Sequence, residues 1–118
     1  MKLLAKKIVK ILTGKKLTIS LAESCTGGMV SSVITAINGS SNVFTFGLIA
    51  YSNKSKINML NIPKNIIKKY GAVSAQVCLC MVKNINKISK TNISLSVTGI
   101  AGPDGGTKKK PVGLIYIG

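Results

Sequence analysis

Leu17-Thr18-Ile19-Ser20-Leu21 runs directly into Ala22-Glu23-Ser24-Cys25-Thr26-Gly27-Gly28, after which Met29, Val30, Val33, Ile34 and Ile37 fall on one helical face. An apolar run, a glycine-bearing turn and a 3.6-residue periodicity, in that order, read as strand, tight turn and helix. The same grammar recurs on either side. Upstream, Leu4, Ile8, Ile11 and Leu12 share a face opposed to Lys2, Lys6 and Lys10, which predicts an amphipathic helix over residues 3–12 ended by Gly14. Downstream, Thr45 to Tyr51 reads as a strand apolar enough to be buried on both faces. Ser52 to Leu60 reads as a short helical turn, and Pro63 opens a helix closed by Gly71. Ser74 caps another helix with the apolar stripe Val77, Met81, Ile85 and Ile88. Ile93–Val97 and Val112–Ile117 read as the last two strands. Strands alternating with helices define an α/β layered fold.

Composition narrows the chemistry. The 118 residues make one domain, 46% hydrophobic, with no apolar run near the roughly 18 residues of a membrane span. Lysines interrupt the N-terminal apolar residues, so no signal-peptide core is present and a cytoplasmic location is expected. Cys25, Cys78 and Cys80 are odd in number, as reduced thiols would be. The 17 basic residues, all lysine, face only Glu23 and Asp104, for a net charge of +15. Such a charge attracts polyanions non-specifically and admits a nucleic-acid-binding reading. The absence of arginine, the residue of bidentate phosphate and base contacts, weighs against it, and the joint abundance of Lys, Asn and Ile points to compositional drift. With no histidine, Ser-His-Asp and Cys-His catalysis are excluded, and no metal site is expected.

In α/β sheets, ligands bind outside the carboxyl ends of the strands. Three segments leave strands there: Glu23–Gly28, Tyr51–Lys56 and Thr98–Gly106. Ser24 stands at a helix start, either as a helix cap or as a nucleophile beside N–H groups able to hold an anion. A serine without histidine needs another base, and a lysine of lowered pKa can serve. Lys56 lies at the right sheet edge, with Lys54 as its neighbouring competitor. Tyr51 and Thr98 add hydroxyls, although an aromatic at a strand end also packs. The four glycines from Gly99 to Gly106, with Pro103 and Asp104, specify a sharply turned loop.

Ala22–Gly28, Tyr51-Ser52-Asn53, Gly71–Ser74, Thr98–Gly106 and Lys110–Gly113 together resemble the CinA C-terminal-domain family, in order and in approximate spacing. The family includes nicotinamide mononucleotide deamidases. The resemblance implies a three-layer α/β/α domain over residues 1–118 with a mostly parallel central sheet. It implies Ser24 as nucleophile, Lys56 as its activating base, and Tyr51 and Thr98 as further active-site residues. Cys25, Thr26, Gly27, Gly28, Asn53, Gly99, Gly102 and Asp104 would contact the substrate, a small pyridine nucleotide, with N–H groups near Thr26 to Gly28 holding its phosphate or the oxyanion. No cofactor is implied. Family domains continue beyond the position of Gly118 with more of the last strand, a further strand and a closing helix. Their absence would expose a sheet edge, and a homo-oligomer is expected. A non-catalytic remnant, or a basic protein linked to competence and DNA damage, are the competing readings.

Overall fold

Strand β1 (Ile19–Glu23) has every residue buried and forms the axis of the molecule. The computed structural model describes residues 1–118. β1 pairs in parallel with β2 (Phe44–Ile49) on one side and β3 (Ile93–Gly99) on the other. β4 (Ile115–Ile117) runs antiparallel to β3, so the sheet order is β2-β1-β3-β4.

Successive strand side chains point to opposite faces, and β1 uses both. Ile19 and Leu21 pack with Ala5, Val9 and Leu12 of α1 (Lys2–Lys15) and Ile34 of α2 (Met29–Thr35). Ala22 joins the opposite core, with Leu60 of α3 (Asn53–Leu60), Ile67 of α4 (Lys64–Tyr70), and Val77, Met81 and Ile85 of α5 (Ala75–Ser89). The result is a three-layer α/β/α domain with a mostly parallel sheet.

Between the sheet and α5 the contact is not purely apolar. Ser20 Oγ lies 2.8 Å from Thr91 Oγ1 and 2.7 Å from Ser94 Oγ, and accepts from Ser89 Oγ at 2.9 Å. Asn86 Nδ2 donates to Ser94 Oγ, and Ser96 Oγ donates to the Cys78 carbonyl. Every buried side-chain polar atom finds a partner, as a low-dielectric interior demands.

Several expectations are corrected. Helix α1 runs through Gly14 and ends at Lys16, a left-handed residue whose N–H reaches the carbonyls of Leu12 and Thr13. β2 is an edge strand, half-buried at alternate positions and exposed at those between, rather than buried on both faces. The last strand starts at Ile115 rather than Val112: Gly113 sits at φ 90°, and the Leu114 N–H turns back to the Pro111 carbonyl. Ile88 is exposed, while Cys78 takes the buried place on α5. Residues 53–60 form a full two-turn helix rather than a single turn, capped by Ser52. Lys110 is half-buried and donates to the Tyr70 carbonyl at 2.6 Å. β4 lies at the sheet edge with Ile115 and Ile117 exposed. No helix is long and apolar enough to cross a membrane.

Leu21, fully buried at the centre of the sheet, is the position where truncation leaves a cavity that cannot collapse. Leu21→Ala is expected to cost about 2–5 kcal/mol, read as the shift of a urea unfolding midpoint.

Candidate active site

β1 and β2 end level, with Glu23 in register with Ile49, and β3 runs two residues beyond Val97, the partner of Glu23 on that side. Ser24 leaves β1 at this edge, pinned by its N–H to the Val97 carbonyl. Being next to Glu23 on an extended strand, it faces the opposite side of the sheet. Across from it, α3 begins where β2 ends. Lys56 and Leu60, four residues apart, share the buried face of α3, and Lys54 is exposed. Helix phase thus separates the two lysines.

Lys56 is 2% exposed, and its Nζ lies 2.8 Å from Ser24 Oγ, 2.9 Å from the Ala50 carbonyl oxygen and 3.2 Å from that of Tyr51. None of these partners is charged. Burial pulls the amine below the ordinary lysine range, opposed only by the nearby Cys25 thiol. Proton counting then fixes the geometry of the neutral form. A neutral amine has two N–H bonds and one lone pair, and carbonyl oxygens only accept. The two carbonyls take the two N–H groups, and the lone pair faces the Ser24 hydroxyl.

Behind Ser24, Glu23 is fully buried. Its Oε2 accepts from Thr26 Oγ1 at 2.6 Å, Gly28 N at 3.1 Å and Val30 N at 3.0 Å. Its Oε1 accepts from Ser31 N at 2.7 Å and Ser31 Oγ at 2.5 Å. Burial pushes its pKa up, but the Ser31 and Thr26 hydroxyls and the N–H groups of Ser31 and Val30 outweigh burial and hold it below the ordinary carboxylate value. The N–H of Gly27 goes to the Ser24 carbonyl. Of the turn amides expected to face an anion, those of Gly27 and Gly28 are therefore engaged within the chain. Those of Thr26 and its neighbour Cys25 donate to no oxygen of the chain.

Ser24 and Lys56 open into a cleft of about 270 Å³ lined also by Cys25, Tyr51, Asn53, Thr98, Gly99, Gly102 and Asp104. Thr26, Gly27 and Gly28 lie behind its wall. Tyr51 is 70% exposed at the rim. Thr98 is buried and donates its hydroxyl to the Ala72 carbonyl at 3.0 Å, so toward the cleft it can only accept. Gly99 is required by crowding: a Cβ there would sit 2.6 Å from the Leu114 carbonyl oxygen. Burial pushes the Cys25 thiol up, away from thiolate. No cluster of three or more His, Cys, Asp or Glu residues gathers anywhere. Sequence reasoning missed Ala72 and Val73 in the lining, the Ala50 and Tyr51 carbonyls, and the part played by Glu23. The only available signal for Glu23 was that it is one of two acids in the chain.

Known proteins agree with this architecture. The family model for the CinA C-terminal domain matches residues 1–118, and the chain belongs to that family. A CinA-like protein of Dictyoglomus thermophilum is 52% identical over 111 residues, 94% of this chain and 27% of that protein. A putative competence-damage inducible protein of Clostridium botulinum is 53% identical over the same extent. The chain thus spans about a quarter of these relatives' length. Among solved structures, the competence/damage inducible protein CihA of Agrobacterium tumefaciens superposes with a TM-score of 0.96 at 41% identity, covering 98% of this chain and 70% of that one. A CinA superfamily protein of Escherichia coli gives 0.92 at 26% identity, covering 97% and 66%.

The buried lysine has a thermodynamic consequence. Between its lowered value in the fold and the ordinary value of about 10.4, the unfolded chain holds the proton and the folded chain does not. Unfolding then takes up a proton, so stability rises with pH across that window. Lys56→Met is expected to be more stable than the native chain at neutral pH, and the difference in thermal midpoint should shrink as pH rises through the window.

Proposed function

We propose that the domain hydrolyses the carboxamide of nicotinamide mononucleotide, giving nicotinate mononucleotide and ammonia. The observation that carries this reading is the 2.8 Å contact between the Lys56 amine and the Ser24 hydroxyl, in a buried setting without a carboxylate. Neutral Lys56 takes the Ser24 proton as Oγ attacks the amide carbon. The resulting ammonium returns a proton to the departing nitrogen, and ammonia leaves from an acyl-enzyme on Ser24. Water, deprotonated by the same amine, then adds to the acyl carbon; the bond to Oγ breaks, the Lys56 ammonium returns its proton to Ser24, and the acid product ionises to the carboxylate. The reading is supported by Lys56 and Ser24, between which the first proton would pass, lying within hydrogen-bond distance.

The choice of substrate rests on the family resemblance and on a cleft with room for a small nucleotide. A nucleic-acid reading is less well supported. Exposed lysines occur on α1, on one side of the sheet, and on α4 and α5, on the other, rather than on a single face. A wider hollow of about 750 Å³, lined by Lys2, Lys6 and Lys10 of α1 and by the Ala36–Asn42 segment, contains none of the candidate site residues.

Purified protein incubated with nicotinamide mononucleotide is expected to release ammonia, and Ser24→Ala to reduce release at least about a thousandfold with an unchanged circular dichroism spectrum. A folded native protein that releases no ammonia would instead support the non-catalytic reading.

A further inference from the structure

Glu23 is a buried carboxylate that the chemistry above leaves unused. It precedes the nucleophile, yet strand alternation sends it to the far side of the sheet, toward α2. There it gathers five donors from Thr26, Gly28, Val30 and Ser31. These are the groups that a seven-residue helix and its preceding turn would otherwise leave open. With them consumed, the amides of Cys25 and Thr26 are the ones in the turn without an oxygen partner, and both follow Ser24 directly.

We propose that Glu23 is a positioning residue: by clamping the Thr26–Ser31 segment it holds the turn so that the N–H of Cys25, on the cleft wall, is aimed at the oxygen of the carbonyl that Ser24 attacks, and it closes the start of α2 to the substrate's phosphate. This rests on the reading of Ser24 as nucleophile. As Ser24 Oγ bonds to the carbonyl carbon, the C=O π pair moves onto oxygen, and donors fixed beforehand stabilise that charge without reorganising. A neutral side chain at position 23 would release Gly28, Val30 and Ser31 N–H groups to compete for the same oxygen or for the phosphate. The Cys25 N–H would then lose its fixed aim, whereas substrate binding in the cleft would change little.

The test is the pair Glu23→Gln and Ser31→Ala in the full chain, each first shown by circular dichroism and thermal unfolding to be folded. With nicotinamide mononucleotide, Glu23→Gln is expected to lower kcat about a hundredfold with KM within about twofold. Ser31→Ala, which removes one hydroxyl donor to Glu23, should lower kcat about tenfold at constant KM. The double variant should be no worse than Glu23→Gln alone, since both act through one carboxylate. If Glu23→Gln does not fold, the kcat and KM of Ser31→Ala decide the matter. A second readout needs no substrate: the rate at which phenylmethanesulfonyl fluoride modifies Ser24, followed by intact mass. The same order of loss is expected there, with Ser24→Ala as the blank. Labelling that follows this order in a protein inactive on the nucleotide would overturn the substrate and keep the role of Glu23. A loss confined to KM, additive variants, unchanged kcat and labelling, or a native Ser24 that resists the reagent would each overturn the proposal.

Discussion

Burying an amine against a hydroxyl and two carbonyls, with no carboxylate to balance it, imposes the condition that the rest of this domain is arranged to meet. A charged lysine in such a place loses solvation that neutral partners replace only in part. It stays there because its neighbours are fixed independently. The two carbonyls end β2, Ser52 caps α3 through the Ser55 N–H, and Asn84 of α5 holds the far end of α3 through the Leu60 carbonyl. Leu60 and Ile62 are almost completely buried directly after it. The core thus holds Lys56 in a position that its own solvation would disfavour, a relation common where a fold stores reactivity.

Charge sharpens the same point. Of the two acids, Glu23 is buried and saturated with hydrogen bonds, and Asp104 is exposed on the loop that lines the cleft. The excess of lysine over the chain is therefore left largely uncompensated. The net positive charge attracts phosphorylated molecules non-specifically. The field is diffuse, since its sources lie on both sides of the sheet, so it supports attraction without defining an interface.

The layered architecture was legible because β-branched runs, a glycine turn and helical periodicity follow one another without interruption from Leu17 to Ile37. What local pattern could not reveal was pairing. Phe44–Ile49 looks doubly buried as a string of letters, but its outer edge has no partner, and only the strand order determines that. Gly14 looked like a helix stop, yet Lys16 adopts the left-handed conformation because the chain must turn into β1 three residues later. At the site, topology brought the segments containing Ser24, Lys56 and Thr98 to one edge. The choice of Lys56 over Lys54 lay in the four-residue spacing to Leu60, a signal present in the sequence. The engagement of Gly28 by Glu23 had no counterpart there, because a buried acid and a solvated acid are written with the same letter.

At the opposite end of the sheet, the hydroxyl seam of Ser20, Ser89, Thr91 and Ser94 acts as a ruler. Ser20 is in register with Ser94, and three pairs further on Glu23 is in register with Val97. A two-residue slip of β3 would carry Thr98 and its loop about 6.6 Å along the strand, more than the reach of any contact described at the site. It would also carry the Ser20 hydroxyl away from Ser94, one of the partners that place it. Small polar side chains that touch no substrate therefore measure the distance from one wall of the cleft to the other.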